Sequence, residues 1–274
     1  MRSMWKGAIS FGLVNIPVKL FSATERKDIK FNYLHNKCKS PVQYQKFCPV
    51  CEEEVKHEDI VRGYEYEKGK YVVIDENDLE NIPTNTGKSV DILDFVDLVE
   101  IDPVFYDKSY YLGPNDGGQK AYRLLKKAME ETGKIAIAKV VIRSKQTLAA
   151  IRPSQDALIM ETMFFPEEIR NPQAIPELEV KADIHDNELK MAVNLISSLS
   201  SAFQPEKYTN EYRQAMLEVI ESKITGQEVS IPEAPAAGKV VDLMNALKAS
   251  IDLAKKEKAK ADKQAKPKKA RKTS

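Results

Sequence analysis

The spacing of the apolar residues changes part-way along the chain, and this change constrains the fold most. The first 110 residues, and again the range from Ile135 to Pro153, follow mainly the two-residue period of strands: residues 90–101 nearly alternate, with a phase change typical of a bulge, and apolar and basic side chains alternate from Ile135 to Lys145. After Asn187 the spacing becomes three and four residues, as in helices that bury one face. The sequence therefore predicts a mixed, mainly β protein.

Three helices are predicted in the first 230 residues. One spans residues 118–132, where Tyr122, Leu125 and Met129 share a face and Gly133 ends the helix. The other two form a helical region at about residues 187–226. Their apolar stripes are Leu189, Val193, Ile196, Leu199 and Phe203, and then Tyr212, Met216, Val219, Ile220 and Ile224.

The C-terminal residues differ in charge from the rest of the chain. Residues 236–274 contain twelve Lys or Arg and four Asp or Glu, whereas the whole chain carries a net charge of +1. We expect a linker at residues 231–238, a short amphipathic helix at residues 239–254 and a disordered Lys-rich tail at residues 255–274. Such a basic end either reaches a polyanionic partner or only keeps the chain soluble.

A cluster of metal-binding residue types lies near the N-terminus. His35, Cys38, Cys48 and Cys51 give the pattern His-x2-Cys-x9-Cys-x2-Cys, in which two knuckles could bring four ligands around one structural Zn²⁺. A disulfide would leave one cysteine over, and a redox Cys-x-x-Cys needs a βαβ context that is missing here. Unrelated buried thiols are a further alternative, and His57 is a possible substitute ligand.

Few features favour catalysis or a membrane. The tripeptide at residues 87–89 (GKS) has Ile82 where a phosphate-binding loop needs its first glycine. Glu179 and Lys181 could belong to a metal-dependent nuclease, but Glu-x-Lys is common in a chain this charged. No apolar run approaches the roughly 20 residues of a membrane span. We therefore predict an intracellular binding protein, not an enzyme.

Four segments resemble the bacterial Ku family in the expected order. They are residues 4–18 (MWKGAISFGLVNIPV), 63–73 (GYEYEKGKYVV), 111–114 with 121–125 (YLGP, AYRLL), and 203–208 with 212–213 (FQPEKY, YR). The resemblance implies a Ku core over residues 1–230, with a β-barrel, a DNA-encircling strand bridge and a helical arm. It also implies a homodimeric ring that binds double-stranded DNA ends in non-homologous end joining and recruits an ATP-dependent DNA ligase. Such a protein would be cytoplasmic and associated with the nucleoid.

The residues expected to contact DNA are basic, because a ring binds shape and phosphates and not base edges. They are Lys37, Lys39 and Lys46 near the metal knuckles, Lys139, Arg143 and Lys145 on one predicted strand face, and Lys255, Lys256, Lys258, Lys260, Lys263, Lys266, Lys268, Lys269, Arg271 and Lys272 in the tail. The residues expected to contact the ligase are Val240, Met244, Leu247 and Ile251. An ordinary solvated face is the alternative for each basic residue. The rival functions are a zinc-ribbon nucleic-acid binder that needs no DNA end, and the nuclease.

Overall fold

The computed structural model describes residues 1–75, 77–78, 88–142, 145–179, 183–226 and 247–253. The chain forms two compact units, Met1–Ala174 and Ile175–Ser274. Eleven strands are described, all in the first unit: β1 (Trp5–Phe11), β2 (Val14–Ser22), β3 (Phe47–Cys48), β4 (Glu53–Glu54), β5 (Arg62–Glu67), β6 (Lys70–Ile74), β7 (Ser89–Asp97), β8 (Tyr106–Pro114), β9 (Lys134–Ile142), β10 (Lys145–Pro153) and β11 (Leu158–Met163).

Seven of these strands close into a barrel in the order β1-β2-β8-β11-β10-β9-β7. Neighbouring strands are antiparallel except at the seam, where β1 runs parallel to β7. The seam is tight at Gly7, since a Cβ there would stand 2.0 Å from the Lys88 carbonyl oxygen and 2.1 Å from the Trp5 ring. Only glycine therefore fits this position of β1 without a shift of the backbone.

The inward side chains of the barrel form the main core. They alternate with outward polar residues, as the pleat requires, and the largest fully buried ones are Ile9, Ile16, Val18, Leu20, Val90, Leu112, Val140, Ile151, Leu158 and Met160. Closure leaves no barrel strand with an open edge, which protects the apolar strands from pairing with other chains.

Helix α1 (Gln119–Thr132) adds its apolar face to the same core. As predicted, Tyr122, Leu125 and Met129 are its buried residues, and Gly133 ends the helix in the left-handed region with φ 67°. The hydroxyl of Tyr122 accepts the Leu158 N–H at 2.7 Å and donates to the Leu112 carbonyl at 2.5 Å. The helix is therefore tied to β8 and β11 where those strands meet.

The long connection between β2 and β7 has no buried residue over the range 24–75, and only Ile29, Cys48, Val55 and Ile74 are half-buried there. The regular structure in this range consists of the hairpins β3–β4 and β5–β6, a one-turn helix at His57–Asp59 and an isolated bridge between Leu34 and Pro41. A segment this exposed needs a cross-link or a covering partner to hold one conformation.

The second unit is helical where the sequence predicts it. It contains α2 (Asp186–Leu199), α3 (Glu211–Thr225) and a helical segment at residues 247–253. Neither α2 nor α3 has a buried residue, and Leu189, Val193 and Ile196 of the predicted stripe are exposed. Periodicity identified the apolar face, but within the described residues nothing buries it.

The predicted fold class, mainly β with a barrel core, is confirmed. One strand prediction is wrong. The predicted strand from Ile135 to Lys145 ends at Ile142 as β9, and Lys145 begins β10 opposite Ile142. The antiparallel pairing of β9 with β10 brings Ala149 and Ile151 into the core that β9 also lines. The linker at residues 231–238 and the tail at residues 255–274 lie outside the described residues.

Candidate nucleic-acid interface

The first predicted metal knuckle is a short hairpin that brings His35 and Cys38 together. The Nδ1 atom of His35 lies 3.2 Å from the Cys38 sulfur. The backbone closes around them, because the Lys39 N–H donates to the His35 carbonyl at 2.8 Å and the His35 N–H donates to the Ser40 carbonyl at 2.9 Å. Both side chains are exposed. Two potential ligands thus point to one side of a tight turn.

The second knuckle, Cys48 to Cys51, repeats this backbone conformation. It forms the turn of the β3–β4 hairpin, in which the Glu52 N–H donates to the Cys48 carbonyl at 2.9 Å. The residue after the second ligand has a positive φ in both knuckles: 56° at Lys39 and 55° at Glu52. These are the non-glycine residues with positive φ in the described part of the chain. Because that conformation costs free energy, its repetition indicates two copies of one device.

The thiols have the chemistry that a zinc site needs. The three cysteines are free. Hydrogen bonds from the Ser40 N–H and hydroxyl, and then from His35, lower the pKa of Cys38 to about 7. The N–H groups of Cys51 and Val50 lower the pKa of Cys48, whereas the nearby Cys48 sulfur raises the pKa of Cys51. Since the thiolate is the metal ligand, the residues present fit Zn²⁺.

The two knuckles form separately and do not meet in one site. Among the described residues, no three His, Cys, Asp or Glu side chains lie close enough to hold one metal ion. The structure therefore pairs His35 with Cys38 and Cys48 with Cys51, but it does not gather all four. His57 lies further along, in a one-turn helix at His57–Asp59.

The lysines predicted near the knuckles are all exposed. Lys37 and Lys39 belong to the first turn, where the Lys39 ammonium donates to the Asn36 side-chain oxygen at 2.8 Å. Lys46 precedes β3, and its carbonyl accepts the Val55 N–H at 2.8 Å. The ammonium groups of these three lysines thus extend from hairpins whose backbones are fixed by hydrogen bonds.

The lysines predicted on a single barrel strand are in a different arrangement. Lys139 is exposed on β9 and lies opposite Asp91 of β7. Lys145 belongs to β10, and its ammonium lies 3.5 Å from a Glu168 carboxylate oxygen. Arg143 lies outside the described residues. Lys139 and Lys145 therefore do not share one strand face, and each has a carboxylate neighbour that reduces its attraction for phosphate.

A further pair of basic residues was not predicted from the sequence. Lys6 of β1 and Lys19 of β2 are directly opposite each other on the outer face of the barrel. Like charges at such positions are destabilising unless an anion lies between them. The tight turn at residues 12–13 fixes this register, so a hairpin read from the sequence would have paired the two lysines.

The structure describes only part of the predicted C-terminal site. Leu247 and Ile251 lie in the helical segment at residues 247–253 and are half-buried. Val240, Met244 and every basic tail residue from Lys255 to Lys272 fall outside the described residues, as does Lys181 of the candidate nuclease motif. Among the helices that the structure describes, none has the length and hydropathy to cross a membrane.

Comparison with known proteins identifies the family. A family model for the Ku70/Ku80 beta-barrel domain matches residues 10–191. Three relatives are each named non-homologous end joining protein Ku. That of Heliobacterium modesticaldum is 48% identical over 272 residues, which cover 99% of this chain and 98% of the relative. That of Bacillus subtilis is 46% identical over 255 residues, covering 92% and 82%. That of Symbiobacterium thermophilum is 50% identical over 261 residues, covering 94% of this chain but 65% of the relative. The resemblance of the four segments is confirmed: the chain belongs to the Ku family.

Proposed function

We propose that this protein binds double-stranded DNA ends, without sequence preference, as a homodimeric ring in non-homologous end joining. The observation that carries the proposal is the connection between β2 and β7, in which none of residues 24–75 is buried. A strand bridge that closes over DNA would have this character, and the relatives are named for end joining. The protein would act in the cytoplasm at the nucleoid, by binding and not by catalysis.

A second copy of the chain is proposed to bury the exposed apolar faces of the helical arm. Leu189, Val193 and Ile196 on α2 and Tyr212 and Ile224 on α3 are exposed apolar side chains. Exposed apolar helix faces of this kind are typical of an interface, and a two-fold symmetric dimer is the commonest closed assembly.

One structural Zn²⁺ per chain is the proposed cofactor, held by His35, Cys38, Cys48 and Cys51. Support comes from the repeated knuckle conformation and from the lowered pKa values of Cys38 and Cys48. The metal would join the two hairpins and so stabilise a segment that lacks a core.

The C-terminal residues are proposed to have two roles. Residues 239–254 would bind an ATP-dependent DNA ligase through Val240, Met244, Leu247 and Ile251, since a helix this short is marginal alone. The tail from residue 255 would add a salt-sensitive, non-specific attraction for DNA, because it carries ten Lys or Arg against Glu257 and Asp262.

Competition between linear and covalently closed circular DNA of the same length tests the proposal. A closed ring can be entered only at an end, so linear duplex should compete strongly and the circle weakly. Equal competition would contradict the proposal and favour a zinc-ribbon binder that needs no end. Metal-dependent cleavage of either DNA would favour the nuclease instead.

A further inference from the structure

The segment that carries the two knuckles is unusual in its charge. Residues 29–51 contain Lys30, Lys37, Lys39 and Lys46 and no Asp or Glu, in a chain with 41 acidic residues. The acidic residues resume at Glu52. A positive surface without carboxylates attracts phosphate groups, because none of its ammonium groups is neutralised by an acidic side chain of the same segment.

Four exposed aromatic rings lie between and beside these lysines in the sequence. The exposed fraction is 67% for Phe31, 74% for Tyr33, 83% for Tyr44 and 60% for Phe47. Rings as exposed as these are accessible to a stacking partner, and aromatic side chains contribute strongly to binding when they are buried.

Two of these rings belong to residues whose backbone is paired with another part of the segment or its hairpin. The Tyr33 carbonyl accepts the Val42 N–H at 2.9 Å, directly next to the first knuckle. Phe47 pairs with Glu54 across the second hairpin. Tyr33 and Phe47 therefore extend from two hydrogen-bonded turns.

We propose that the aromatic and basic segment at residues 29–51 binds unpaired nucleotides, with the rings stacked on bases and the lysines on phosphates. This inference rests on the proposed binding of DNA ends and assigns a preference for ends that carry a single-stranded overhang. Base pairs in a duplex are already stacked on each other, so only unpaired bases offer a face to these rings. A protein partner would have to supply carboxylates for four lysines, and a second copy of this segment supplies none.

The test compares two duplexes of equal length, one blunt and one with a 3′ overhang of thymidines containing 2-aminopurine. The variant is the double substitution Tyr33→Ala with Tyr44→Ala. Its matched control is Tyr64→Ala with Tyr71→Ala, which removes two similarly exposed rings from the β5–β6 hairpin beside Glu65 and Glu67.

The native protein should bind the overhang more tightly than the blunt end and quench the 2-aminopurine fluorescence by stacking. Loss of a stacked base typically weakens binding at least about fivefold, so the double variant should lose about 25-fold or more on the overhang. Its affinity for the blunt end should stay within about twofold, and the control should keep the preference.

Two results would overturn the inference. In the first, the native protein binds blunt ends but neither prefers the overhang nor quenches the 2-aminopurine fluorescence. In the second, the Tyr33→Ala, Tyr44→Ala variant sediments as a monomer but keeps its preference for the overhang. The rings would then contact the second subunit and not the DNA. A native protein that does not bind blunt ends would instead refute the proposed function itself.

Discussion

Replacing Tyr122 by Phe removes a single buried oxygen and should destabilise the barrel. Leu158 and Leu112 face each other in the register of β11 and β8, and the Tyr122 hydroxyl lies between the N–H of the first and the carbonyl of the second. Both leucines are fully buried and Tyr122 is nearly so. The phenyl ring would keep the packing of α1 but leave both backbone groups without their partner.

The size of the effect follows from the two lost hydrogen bonds. Each neutral hydrogen bond contributes about 1 kcal/mol net, and each backbone group left buried and unpaired costs about 1–3 kcal/mol. We expect the free energy of unfolding to fall by about 2–6 kcal/mol in total. For a unit of this size that lowers the Tm by roughly 4–24 °C.

Urea unfolding followed by far-ultraviolet circular dichroism measures this change. The midpoint should fall while the slope with urea stays constant, since the folded surface is unchanged. Tyr111→Phe is the matched control on the same strand, because its exposed hydroxyl can bind water, and it should change stability by less than about 0.5 kcal/mol. If Tyr122→Phe also lowers the free energy of unfolding by less than about 0.5 kcal/mol, the backbone groups of β8 and β11 must find other partners once the hydroxyl is removed. That result would refute the reasoning.

Three further predictions concern the interface. Cys48→Ser should lower the zinc content and the thermal stability of the purified protein, whereas His57→Gln should leave both unchanged; metal-free native protein with normal stability would contradict the site. Exchanging Lys37, Lys39 and Lys46 for Ala should reduce the slope of log affinity against log salt by up to about 2.7, at about 0.9 for each lost phosphate contact. The control Lys145→Ala should change that slope little because Glu168 already pairs with it; equal slopes would exclude the knuckle lysines. Truncation after Ala254 should weaken DNA binding and spare ligase stimulation on short DNA, and truncation after Gly238 should abolish the stimulation too. If both truncations behave as the full chain, the two proposed roles of the C-terminus are wrong.

The sequence was sufficient where the signal is local. Helix α1 ends as predicted and begins one residue later than predicted, because its apolar spacing and the Gly133 that follows it are local signals. The turns at His35–Cys38 and Cys48–Cys51 are also local, since a two-residue spacing is closed by one tight turn, whereas their role as metal knuckles stays a prediction. The barrel, in contrast, came from the family resemblance, because its strand order depends on contacts far apart in the chain.

The register of the strands, and the surface that covers the apolar face of α2, could not be predicted from the sequence. Lys145 was assigned to the wrong strand because alternation continues across a hairpin turn without a change of period. The opposed Lys6 and Lys19 were missed for the related reason that pairing depends on where the turn lies. The stripe on α2 shows which face is apolar but not what covers it, since that information belongs to another surface.

The most direct test of the central claim is whether the protein becomes topologically linked to DNA. The protein is loaded on a linear duplex biotinylated at both ends, streptavidin is added to block the ends, and high salt is applied to break phosphate contacts. A closed ring should stay on the blocked DNA and leave once a restriction enzyme cuts between the blocks. Release by salt alone, with both ends still blocked, would contradict the account.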